Sequence, residues 1–178
     1  MLEGWTEFFF ILSSSAAALI GLLFVVVTLT SGLGENRAAR GEKFFMSPTV
    51  FQYATVLTLG AIATIEHLTR PVLTWSLGAY ALVGIVYMGR VVLELRKPSA
   101  TEHWSDVWYY GAAPVALYVL MGVTAFGVGE NAAFAIPAFG ALMLAFLLLG
   151  IRNAWDLVTW IAPRAERLKQ DDGPGPVG

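Results

Sequence analysis

The sequence predicts an all-α fold, an integral membrane bundle of five transmembrane helices, and three observations carry that prediction. Residues 8–34, 44–65, 71–89, 107–129 and 131–151 contain no Asp, Glu, Lys or Arg, in runs of 27, 22, 19, 23 and 21 residues. A hydrocarbon core about 30 Å thick takes roughly 20 helical residues to cross, and a chain in lipid must satisfy its own backbone hydrogen bonds, so each run reads as one spanning helix. The basic residues are the second observation. With five spans in place, Arg37, Arg40, Lys43, Arg90, Arg96, Lys97, Arg152, Arg164, Arg167 and Lys169 fall on one side and Arg70 alone on the other. The positive-inside rule then puts the amino terminus outside and the carboxyl terminus in the cytoplasm. Third, Trp5 and Trp75 fall at outer helix ends and Phe44, Phe45, Trp104, Trp108, Trp155 and Trp160 at inner ends, as interfacial aromatic belts require.

Composition agrees. The chain is 57% hydrophobic and 13% charged, with a mean hydropathy of +0.66, which is membrane rather than globular composition. No connection is long enough to bury a core of its own, so residues 1–170 form a single five-helix transmembrane domain, and residues 171–178, rich in Gly, Pro and Asp, are predicted to be a disordered tail. The absence of cysteine excludes a disulfide framework, a thiolate metal site, c-type haem attachment and a cysteine nucleophile. A net charge of −2, from 11 basic and 13 acidic residues, is uninformative in a membrane protein; the expected partner is the lipid bilayer, with no nucleic acid.

The first helix is predicted over 5–29, closing at Ser31, Gly32 and Gly34 before a basic loop. Glu3 and Glu7 followed by a long uncharged run are unlike a basic-led signal peptide, so this helix is expected to be retained. The second begins near Pro48, a residue tolerated in a first turn, and ends at Glu66 and His67. A turn over 68–71 makes a tight hairpin with the third helix, which reaches Leu95. Pro98 breaks the next connection, and the fourth helix opens on Trp104, Trp108, Tyr109 and Tyr110, with Pro114 expected to bend it. Gly127, Gly129 and Asn131 mark the turn into a fifth helix containing Pro137, which is expected to extend to Pro163 as an interfacial segment.

Two polar stripes are the candidate functional surfaces. On the first helix Ser13, Ala17 and Gly21 recur every fourth residue, and Glu3, Glu7, Ser14, Ala18 and Gly21 share a narrow stripe, so one face is small and weakly polar. Small residues let helix backbones approach closely, which predicts helix packing within the bundle or between subunits; a water-facing surface is the alternative. On the second helix Gln52, Thr55, Leu59, Ile62 and Glu66 share a face. A ring of such helices would line a cation-preferring path, with Leu59 and Ile62 as an apolar constriction and Glu3, Glu7 and Glu66 at the outer mouth. The competing reading is interhelical hydrogen bonding by Gln52 and Thr55.

Enzymatic and transport chemistries find no support. The run Ser13, Ser14, Ser15 lacks the glycine context of a serine nucleophile, and Gly32 and Gly34 follow a membrane helix rather than a strand. No span carries a central ionisable residue, and no repeat relates the two halves, which disfavours proton-coupled and secondary transport. The two histidines each follow a glutamate, His67 after Glu66 and His103 after Glu102, on opposite sides of the predicted membrane. They cannot share a metal within one subunit, and both read as solvated helix ends. No cofactor or metal is expected.

The segment Trp5-Thr-Glu-Phe8-Phe-Phe, followed by Ser13-Ser-Ser-Ala-Ala-Ala-Leu19-Ile-Gly-Leu-Leu-Phe-Val-Val-Val-Thr28, resembles small bacterial multi-span proteins, some of them labelled modulators of the FtsH protease. The resemblance covers the first helix and brings no catalytic residues with it. It implies a bacterial inner-membrane protein without enzymatic activity of its own. Together these readings predict a non-enzymatic, homo-oligomeric channel whose path is lined by helices 1 and 2. The alternative is an accessory subunit that uses the same faces to bind another membrane protein.

Overall fold

The computed structural model describes residues 2–30, 47–95 and 108–171 of the chain. Among the described residues the fold is all-helical, with no strand. Its five helices are α1 (Thr6–Thr30), α2 (Ser47–Ala63), α3 (Arg70–Leu95), α4 (Ala113–Gly129) and α5 (Ala135–Asp171), with a π-helical turn at Trp108–Ala112 leading into α4. Four segments are long and apolar enough to cross a membrane: α1, α3, the π turn with α4, and α5. With 17 residues, α2 is the shorter apolar helix.

The helices pack as two pairs bridged by a fifth. α1 lies along α2 and α3 along α4, while α5 contacts α1, α2 and α4 and so ties the pairs together. One end of the bundle holds Trp5 and the turns around His67 and Asn131; the other holds Ser47, Trp108 and Asn153. The outward surfaces are strongly apolar, with Phe24, Leu82, Phe126 and Trp155 all exposed. Apolar surface facing outward on this scale, over helices of spanning length, marks a membrane-embedded protein.

The elements depart from the expected boundaries at three places, and local chemistry accounts for the first two. α2 stops at Ala63, short of Glu66 and His67, because the Thr64 hydroxyl bonds back to the Ala61 carbonyl at 2.8 Å and the backbone tightens into short-range bonds from Thr64 to Ala61 and Ile65 to Ile62. His67 then takes a left-handed conformation, φ 59°, and turns the chain into α3. At Pro114 the ring crowds the carbonyl one turn back and removes a donor, and the π turn at Trp108–Ala112 opens the ladder at that point. The third departure is at α5, which continues through Pro163 to Asp171, beyond the expected stop and into the first residue of the predicted tail.

Two close approaches set the pairs. A Cβ at Gly60 would stand 2.9 Å from the Ser13 Cβ and 3.1 Å from the Phe9 carbonyl, so only glycine lets α2 lie this close to α1. A Cβ at Gly84 would fall into the ring of Tyr118, so α3 meets α4 over that ring. The Trp5 end of the core is aromatic and apolar: Phe9 stacks on Phe139 with ring centroids 4.5 Å apart, and Trp5 meets Phe8 edge-on at 5.5 Å. Trp5, expected as a belt residue, packs over Gly140.

Candidate functional site

Buried polar side chains occur in both halves of the interior: Ser13 and Thr124 lie toward the Trp5 end among Phe9, Leu59, Leu73, Leu77 and Phe139, and Thr49, Gln52, Thr55 and Asn153 lie in the other half. α2 and α5 bring these polar residues together, because the face of α2 that carries Gln52 and Thr55 turns inward and Asn153 lies one turn beyond Gly150 on the buried face of α5.

The hydrogen bonds of this region start at Tyr118. Thr55 donates its hydroxyl proton to the Phe51 carbonyl at 2.9 Å, and its oxygen lies 2.9 Å from the Tyr118 hydroxyl. One hydroxyl has one proton to give, so Tyr118 is the donor to Thr55. The Tyr118 ring is flanked by Phe146 at 4.6 Å and Phe51 at 5.8 Å. At the far end the Tyr110 hydroxyl donates to the Asn153 backbone carbonyl at 3.0 Å, and the Asn153 amide nitrogen donates to the Tyr109 carbonyl at 3.4 Å. Arg152 covers this end, its guanidinium 3.4 Å from the Tyr109 ring centroid and 3.1 Å from the Asp156 carboxylate. Between the two layers lie Gln52, with neither end of its amide hydrogen-bonded, and Tyr53, whose hydroxyl has no protein partner. The Asn153 side-chain oxygen is likewise unpartnered.

The residues expected to line a path do not share one environment. Gln52, Thr55 and Leu59 have no exposed surface, Ile62 is half-buried against the core, and Glu3, Glu7 and Glu66 are exposed at the Trp5 end. The polar face of α2 therefore points into its own bundle. A ring of protomers would not place it on a shared axis, because α1, α3 and α5 already surround it and Thr55 is bonded to α4. Its hydrogen-bonding role is realised at Thr55.

The small face of α1 divides as well. Ser13 is buried and donates to the Leu57 carbonyl of α2 at 3.0 Å, a packing contact of the expected kind. Ser14, Ala17, Ala18 and Gly21 are exposed, and nothing lies within 4 Å of a Cβ placed on Gly21. α1 buries Phe9, Leu12 and Leu23 together with the small residues Ser13 and Ala16, and its outward side carries Phe10, Ile11, Leu22 and Phe24 as well as these small ones. Loss of the Ser13 hydroxyl in Ser13→Ala should cost about 1 kcal/mol or less of stability. Unfolding of the purified chain in mild detergent measures it.

Ser15 bonds to the Ile11 carbonyl at 2.8 Å within its own helix. His67 is exposed in its turn, and His103 lies outside the described residues. Among the described residues no cluster of three His, Asp or Glu could hold a metal ion. Tyr53, Tyr118 and Asn153, central to the polar interior, escape a reading by stripes on α1 and α2. For Asn153, just past the fifth uncharged run and Arg152, the register with Gly150 and Phe146 is the signal that could have found it.

No protein-family model matches the chain, and neither curated proteins nor solved structures include a match.

Proposed function

We propose that this protein is a non-enzymatic membrane subunit that works by lateral association, docking the outward small face of α1 against a helix of a second copy or of another membrane protein. The observation that carries this reading is the exposure of Ser14, Ala17, Ala18 and Gly21 on one uncovered face. In lipid, where apolar burial gives no drive, small residues favour association by letting backbones come into van der Waals contact. Exposed Phe10, Ile11, Leu22, Phe24 and Val25 accompany these small residues on the outward side of α1.

The orientation with the amino terminus outside, and residence in a bacterial inner membrane, belong to this proposal; the basic-residue asymmetry and the resemblance of the first helix support them. Conduction along a shared axis lined by α2 is the weaker reading, because Gln52, Thr55 and Leu59 are enclosed in the protomer.

Gly21→Ile should convert the assembled species to monomers while leaving the fold intact, because Gly21 touches nothing in its own protomer. Native mass spectrometry from mild detergent, paired with cross-linking in membranes, reads both homo- and hetero-assembly. A wild-type chain that is monomeric and uncross-linked in membranes, or a Gly21→Ile variant that assembles like the wild type, would overturn the proposal.

A further inference from the structure

We infer that the half of the bundle core nearest Asn153 is a hydration site: a small cluster of water molecules held by Gln52, Tyr53 and Asn153 inside the transmembrane bundle. The inference is independent of lateral association and rests on different residues.

Four polar atoms carry it. Both ends of the Gln52 amide, the Tyr53 hydroxyl and the Asn153 side-chain oxygen are buried without a protein partner. Gln52 and Asn153 have no exposed surface, nor does Tyr53. Protein interiors seldom tolerate one such group, and lipid offers no replacement, so unpartnered atoms on neighbouring elements point to a shared ligand.

Packing sets where they lie. Tyr118 fixes one layer through Thr55 on α2 and Phe146 on α5. At about 1.5 Å of rise per residue, Gln52 lies roughly 5 Å from Thr55 toward the Asn153 end, and Asn153 roughly 10 Å from Phe146 in the same direction. The ring of Tyr53 sits between, with its Cε1 2.5 Å from where a Cβ on Gly150 would be. Asn153 is one turn beyond Gly150. Toward the Trp5 end the core is apolar, with Phe9 stacked on Phe139 and Leu59 buried.

The chemistry of the set selects the ligand. An amide offers donors and acceptors, a phenol one of each, and the Asn153 oxygen accepts, which matches water's two donors and two acceptors. A buried water takes two to four polar partners, and this set provides four atoms. None of the three side chains ionises in the physiological range, so the site has no charge to hold a dehydrated ion.

X-ray radiolytic footprinting of the full chain in lipid nanodiscs tests the assignment, because radicals generated from bound water label the side chains that touch it. Tyr53 should be labelled several-fold faster than Phe139 and Phe146, which are equally buried. Gln52→Met, close in shape and without the amide, should bring Tyr53 down toward their rate. The wild-type comparison is decisive even if the variant fails to fold: Tyr53 labelled no faster than Phe139 would overturn the site. Unchanged Tyr53 labelling in a folded Gln52→Met would overturn the role of Gln52. A neutral organic adduct in the native mass of the wild type, absent from Gln52→Met, would replace water by that solute.

Discussion

Gly84→Leu is expected to separate α3 from α4 and leave little folded protein. The position has no room on its inner side, since even a Cβ would enter the Tyr118 ring, and that ring cannot retreat. Phe146 and Phe51 flank it, and its hydroxyl is bonded to Thr55. Overpacking a well-filled core costs about 1–3 kcal/mol when neighbours can adjust. Here the adjustment requires breaking a buried hydrogen bond as well, which places the expected loss at about 3 kcal/mol or more. Thermal or denaturant unfolding of the purified chain in detergent, read by far-ultraviolet circular dichroism and gel filtration, should show a strongly lowered midpoint or aggregation. A midpoint close to wild type would mean that the α3–α4 contact is not as described.

Tyr118→Ala should be comparably severe for the opposite reason. It empties a site where α2, α3, α4 and α5 meet and should cost about 3–5 kcal/mol, the range for deleting a buried aromatic ring. Tyr118→Phe keeps the ring and removes the donor to Thr55, whose own proton stays on the Phe51 carbonyl, so its cost should be about 1 kcal/mol. The gap between the two variants separates packing from hydrogen bonding. Combining Gly84→Leu with Tyr118→Ala gives a sharper check: the leucine would enter space the ring has vacated, so the double variant should be more stable than the sum of the single losses predicts. Strict additivity would show that the two residues do not share a contact.

The helices and their apolar character were legible in the sequence because lipid imposes a length and forbids charge, and both constraints act residue by residue. The π turn at Trp108–Ala112 was half legible: Pro114 announced a disturbance, but a proline alone does not tell a bend from a widened turn. The faces were harder to read. Periodicity put Gln52, Thr55, Leu59, Ile62 and Glu66 on one face, yet it carries no information about where the helix ends or whether that face meets its own bundle or a neighbouring subunit. The same limit applies to α1, where Ser13 and Ser14 are adjacent in sequence and one is buried while the other faces outward. Which small residue faces inward depends on where Gly60 allows α2 to cross, a property of two helices that neither run displays alone.

The length of α5 has a consequence of its own. Its 37 residues measure about 55 Å along the axis at helical rise, against a hydrocarbon core of about 30 Å. A single continuous helix that packs on α1, α2 and α4 is thus longer than a bilayer core is thick, and the surplus turns are those whose sequence includes Arg164, Arg167 and Lys169.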